Sequence, residues 1–151
     1  MEDFKTIEGI LDFAIAGEQE AVEFYTDLSK QTNNKYMKET FEQFAREEMG
    51  HKAKLLKVKN EGATNQWEEK VSDMMIADYM VDLIATPGIN YQDALIIAMK
   101  KEKAAYKLYM SLSEKTSNTE LKDIFTGLAN EEAKHKLRFE IEYDEFVLRE
   151  N

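Results

Sequence analysis

Apolar residues recur three and four positions apart in four runs of the chain, the spacing of one buried helix face. In the first run, from about residue 4 to 31, the stripe is Ile7, Ile10, Leu11, Ala14, Ala21, Val22, Tyr25 and Leu28. Asp3 is placed to cap this helix, and Thr32-Asn33-Asn34 breaks the pattern and can cap the next. The second run, about 35–60, turns Phe41, Phe44, Ala45 and Leu55 to one side, and Gly62 suits the residue just past its end. The third, about 91–115, starts after Asn90 and carries Leu95, Ala98, Ala105, Tyr109 and Leu112. Ser117-x-x-Glu120 has the form of a capping box opening a fourth helix, with Leu121, Ile124, Phe125, Leu128 and Phe139 inside.

The pattern predicts an all-α, four-helix bundle in one domain of 151 residues. Its parts are a hairpin over about 4–61, a link over about 62–90 and a second hairpin over about 91–149. Helices of about 26 residues are roughly 39 Å long. A short turn between hairpins would give an up-down-up-down bundle. A link of this length can instead traverse the bundle, which is the single long crossover of ferritin-like folds. Val71, Met74, Met75, Met80, Leu83 and Ile84 make the link Met-rich and partly amphipathic, as expected of a partly helical crossover covering one flank.

The polar residues inside the stripes change the picture from packing to chemistry. Glu18 and Glu102 interrupt the first and third stripes, and Glu48-x-x-His51 and Glu132-x-x-His135 the second and fourth. His51 and His135 are the only histidines, and they lie 84 positions apart. At that offset residues 11–52 and 95–136 align without a gap and share 16 identities, among them Leu11/Leu95, Glu18/Glu102, Tyr25/Tyr109, Glu48/Glu132 and His51/His135. A lone Glu-x-x-His on a helix is weak evidence of a ligand pair. Here both histidines fall in that motif at equivalent repeat positions, and each hairpin adds a Glu on its stripe.

In a helix, residues three apart share a face, so Glu48 with His51 and Glu132 with His135 can each hold one metal. With Glu18 and Glu102 they match the di-metal plan of one Glu from each of two helices plus Glu-x-x-His from the other two. Four buried carboxylates need compensating charge, and two divalent ions supply it. Glu48 and Glu132 are the expected bridges, Glu18, Glu102, His51 and His135 the terminal ligands. Two iron ions fit such a donor set, with manganese or zinc as alternatives. Tyr25 and Tyr109, two turns after the single glutamates, are placed to donate hydrogen bonds to ligand carboxylates. Glu47 and Glu131 also repeat; solvated roles are the first expectation for them, with hydrogen bonds to the ligand side chains from outside as the alternative.

The net charge of −10 speaks against a nucleic-acid partner. The absence of cysteine removes disulfides, thiolate catalysis and iron–sulfur clusters and accords with a cytoplasmic location. No apolar run is long enough for a membrane span, and the N-terminus shows no secretory pattern.

Ala14-x3-Glu18-x2-Ala21-x3-Tyr25, its echo Ala98-x3-Glu102-x2-Ala105-x3-Tyr109, and the two Glu-x-x-His pairs resemble the rubrerythrin family of ferritin-like proteins over nearly the whole chain. The resemblance implies a non-haem di-iron oxidoreductase that reduces hydrogen peroxide or activates dioxygen, and a homodimer is expected. The alternative is a ferroxidase, or an iron-handling or metal-sensing protein without sustained turnover. Two departures matter. Rubrerythrins typically carry a rubredoxin domain with cysteine-bound iron, so this chain would need an external electron donor protein. They also have a further Glu one turn after the third-helix Glu, where this chain has Ala105.

Overall fold

The computed structural model describes residues 6–61, 74–81 and 89–150. Among the described residues there are four long α-helices, one 3-10 turn and no strand. The helices are α1 (Ile7–Gln31), α2 (Lys35–Asn60), α3 (Tyr91–Lys115) and α4 (Thr119–Glu150).

Side-chain caps set where these helices start. Thr6 accepts a hydrogen bond from the Gly9 N–H at 3.1 Å, so α1 begins at Ile7, later than the apolar spacing predicts. Asp3 lies outside the described residues. Asn34 and Asn90 cap α2 and α3 by accepting from the Met37 and Asp93 N–H groups. The fourth cap differs from the expected box at Ser117. Asn118 takes the position, accepting from the Leu121 N–H at 3.0 Å. The reason is a turn that the repeat duplicates. The Thr32 hydroxyl oxygen accepts from the Asn34 N–H and that of Thr116 from the Asn118 N–H, each at 3.2 Å. Both turns therefore deliver an asparagine to the cap, a residue that stabilises a helix start by about 1 kcal/mol relative to alanine.

The buried apolar faces meet in two layers. One joins Ile7, Ile10 and Leu11 at the start of α1 to Leu55 and Val58 at the end of α2. Leu108 and Leu112 near the end of α3 and Leu121 and Phe125 at the start of α4 complete it. The other joins Leu28, late in α1, to Met37 and Phe41, early in α2, Ala94 and Leu95, early in α3, and Phe139 of α4. Thus α2 ends in one layer and α3 begins in the other. The helices run up, down, down, up, so the end of α2 and the start of α3 lie at opposite ends of the bundle. This is the crossover topology that the link length predicts.

Much of the Met-rich link lies outside the described residues, as do Gly62 and the segment 82–88. Its described part, 74–81, buries Met74 against the first layer and forms a 3-10 turn at Ile76–Asp78. The Tyr79 hydroxyl lies 3.0 Å from the Ser111 hydroxyl of α3 and donates to it. Packing is strongest within each hairpin, α1 on α2 and α3 on α4, while α1 and α3 touch sparingly. Among the described residues no helix is long and apolar enough to cross a membrane.

Candidate metal centre

Between the two apolar layers all four helices turn acidic or imidazole side chains inward. Glu18 comes from α1, Glu48 and His51 from α2, Glu102 from α3, and Glu132 and His135 from α4. None is more than 3% exposed, which excludes solvent as the partner of their polar atoms. Ligand-capable atoms of Glu18, Glu48, His51 and Glu132 all lie within 4.8 Å of one another, and so do those of Glu48, Glu102, Glu132 and His135. Glu48 and Glu132 belong to both sets. The six sequence-predicted residues are therefore brought together, with the expected pair in the middle.

His51 turns Nδ1 into the cluster, 2.9 Å from Glu132 Oε1, 3.1 Å from Glu48 Oε1 and 3.5 Å from Glu18 Oε2. His135 does the same, its Nδ1 3.4 Å from Glu48 Oε1 and 3.6 Å from Glu102 Oε1. The imidazole rings are nearly parallel, with centroids 6.3 Å apart. Despite the short separations, Glu18 Oε2, Glu48 Oε1, His51 Nδ1, Glu102 Oε2, Glu132 Oε1 and His135 Nδ1 have no hydrogen-bond partner. Buried polar atoms are rarely left in that condition. Here one from every member of the cluster faces a common interior, close to the others but without forming a hydrogen bond. Such a set of oxygen and imidazole nitrogen donors fits two divalent cations.

The outer contacts cross between hairpins. The Tyr25 hydroxyl donates to Glu102 Oε1 and the Tyr109 hydroxyl to Glu18 Oε1. Each tyrosine thus serves the single glutamate of the other half, which the spacing along one helix cannot reveal. Burial first, and the neighbouring carboxylates after it, raise both phenols well above their ordinary value, so each keeps the proton that it donates. His51 Nε2 lies 2.7 Å from Glu131 Oε2, and His135 Nε2 lies 2.9 Å from Glu47 Oε2. This corrects the expectation of solvated roles for Glu47 and Glu131. Each acid is partly exposed but reaches the imidazole of the opposite hairpin, where its carboxylate can accept from Nε2–H and leaves Nδ1 facing the cluster. The signal was their repetition in register. What hid them was position, since each sits one residue off its own helix's inner stripe.

The matching family model, Rubrerythrin, covers residues 9–143. This chain belongs to the rubrerythrin family. Among solved structures, a Thermotoga maritima protein described as a candidate ferritin-like diiron-carboxylate protein superposes with a TM-score of 0.80. The alignment covers 96% of this chain and 99% of that one at 22% identity, a likeness of fold. No curated protein sequence matches the chain. In this rubrerythrin-family bundle Ala105 occupies the place where the resemblance leads one to expect a further glutamate. It sits half-buried in the wall of a cavity between α1 and α3 that reaches Glu18, Glu48 and Glu132.

Without metal the centre holds protons. Burial, then repulsion from Glu102 and Glu18, lifts the Glu48 carboxyl to about 8. The Glu132 carboxyl is pushed well above the usual carboxylate range by burial and the other three glutamates. For the imidazoles burial acts downward, but the carboxylates outweigh it. Glu18 and Glu48 raise His51 to about 11, and Glu102, Glu48 and Glu47 raise His135 to about 9. The two kinds of group act on stability in the same direction. Above about pH 4.5 an unfolded Glu48 has lost the proton that the folded one retains to about 8, so rising pH weakens the fold. The histidines stabilise fully below about 6.5 and lose that contribution as pH climbs through about 9 and 11. Metal-free rubrerythrin-family protein of this sequence should therefore melt at a lower temperature at about pH 9 than at about pH 6. Thermal melts in the presence of a chelator check this. A midpoint that rises over that interval would show that the cluster is not protonated as described.

Proposed function

We propose that Glu18, Glu48, His51, Glu102, Glu132 and His135 would hold two iron ions, Glu48 and Glu132 being the carboxylates common to both donor sets. On this reading the protein is a non-haem di-iron oxidoreductase that reduces hydrogen peroxide or activates dioxygen. The observation that carries the reading is the convergence of six buried, unpartnered donor atoms in two sets that share two carboxylates. Two bound iron ions would supply one electron each and Lewis acidity. The residues around them do the rest. Tyr109 and Tyr25 fix one oxygen of Glu18 and of Glu102, leaving the other oxygen free to ligate. Glu131 and Glu47 hold the imidazoles in one tautomer and raise their basicity. The apolar layers above and below keep bulk water from the carboxylates.

No cysteine lies in the chain, so electrons for repeated turnover would come from a separate donor protein. The second reading is ferroxidase or iron-handling activity without sustained turnover, and Ala105 favours it. With alanine there, the donor set is symmetric across the repeat and lacks a fifth carboxylate. Stopped-flow mixing of the Fe(II)-loaded protein with hydrogen peroxide and with dioxygen, at equal concentration, separates the two. Faster oxidation by peroxide is the expected outcome. Faster oxidation by dioxygen would move the protein to the ferroxidase side, and inertness to both would remove the oxidoreductase reading. Sustained turnover with a simple nicotinamide reductant and no donor protein would overturn the inference of an external donor.

A further inference from the structure

The cavity between α1 and α3 is larger than peroxide or dioxygen requires. Its volume is about 190 Å³. One water needs only about 10–15 Å³ on a comparable measure, and an apolar protein cavity of about 150 Å³ binds benzene. Its walls are small and apolar, with Ala14, Gly17 and Ala21 from α1 and Ala104, Ala105 and Leu108 from α3. The crossover supplies a third side at Tyr79, Met80 and Val81, held to α3 by the Tyr79–Ser111 hydrogen bond. One end is polar in a specific way. Glu18, Glu48 and Glu132 line it, each nearly fully buried and each with an unpartnered carboxylate oxygen. Lys101 also lines the cavity, its ammonium 3.4 Å from Glu20. The repeat is broken at this point, because Lys101 is the counterpart of Gly17. Glycine leaves the α1 wall open, since a Cβ at Gly17 would meet no atom within 4 Å.

Resting on the di-iron reading of the centre, we infer that this cavity is the binding site of a small organic substrate with an apolar body about the size of a benzene ring and one oxygen-bearing head. The body lies against Ala14, Gly17, Ala21 and Ala105, and the head faces the carboxylates of Glu18, Glu48 and Glu132. A molecule of hydrogen peroxide would leave most of this apolar wall uncovered. A ring-sized body covers it and places the head at the end lined by the buried carboxylates.

Benzyl alcohol, with glycerol as an all-polar comparator, is the probe. Calorimetric titration of the full-length metal-free protein should give saturable binding of benzyl alcohol and none of glycerol. Gly17→Leu fills open space on the α1 wall and should weaken binding more than tenfold. Ala104→Leu should do so from the α3 wall. Gly17→Ala adds one methyl group and should bind within threefold of the original. All three variants should take up Fe(II) in the original ratio, which separates a blocked cavity from a damaged fold. Absence of saturable benzyl alcohol binding, or equal binding after both leucine substitutions, would overturn the site. If the protein binds no iron but loses benzyl alcohol through Gly17→Leu, the ligand site stands and the di-iron reading falls. Iron uptake without benzyl alcohol binding is the reverse.

Discussion

Anaerobic Fe(II) at about 1,000 times its dissociation constant should raise the melting midpoint of the metal-free protein by about 8–16 °C for each ion bound. One site at that excess contributes roughly 4 kcal/mol, and a chain of this length gains about 2–4 °C per kcal/mol. The physical basis is the difference between the two states of the centre. Four buried glutamates repel one another and are held together only by protonation and by His51 and His135. Cations replace protons that the cluster holds at a cost. The unfolded chain has no such cage, so metal binding appears almost entirely as folding stability. Both apolar layers are built without the ligands, so the metal-free protein should still show a helical circular dichroism spectrum. Calorimetric melts with and without Fe(II), under a chelator control, measure the shift. An unchanged midpoint, or a metal-free chain that is unfolded, would contradict this account.

Glu48→Leu should lower Fe(II) affinity at both positions by more than about 100-fold, the upper end of what losing even an outer hydrogen-bond partner of a ligand costs. His51→Ala should do so at one position only. The difference follows from membership, since Glu48 belongs to both four-residue sets and His51 to one. A stepwise anaerobic titration should therefore show uptake falling from two ions to almost none in the first variant and to one in the second. Equal, mild losses of affinity in both variants would refute the bridging role of Glu48.

The chain gave away its helices and the six inward donors because both are recorded in local spacing. A stripe at three and four residues identifies a face, and Glu48-x-x-His51 states which side chains share it. The length of the link was enough to separate up-down-down-up from up-down-up-down. What stayed hidden depends on contacts between hairpins. Tyr25 meets Glu102 and Tyr109 meets Glu18 across 77 and 91 residues of sequence. Glu131 reaches His51 across 80 residues and Glu47 reaches His135 across 88. On its own helix Glu47 points off the inner stripe, and only the approach of the second hairpin turns that direction into a contact. The cap at Asn118 was legible in principle. Its identity with Asn34 in the repeat outweighs the Ser-x-x-Glu pattern one residue earlier.

The crossed pairs have a bearing on where such a chain comes from. Every outer contact of the centre runs from one hairpin to the other, and none is satisfied within a half. A peptide of one hairpin would carry three inward donors and one tyrosine, yet its histidine and its single glutamate would each lack an outside partner until it met a second copy. The two copies would then be related by a true two-fold, and the long crossover is the tether that turns that encounter into an intramolecular one. The repeat thus has the form of a fused pair, in which an association that would depend on concentration between separate hairpins is a property of a single molecule.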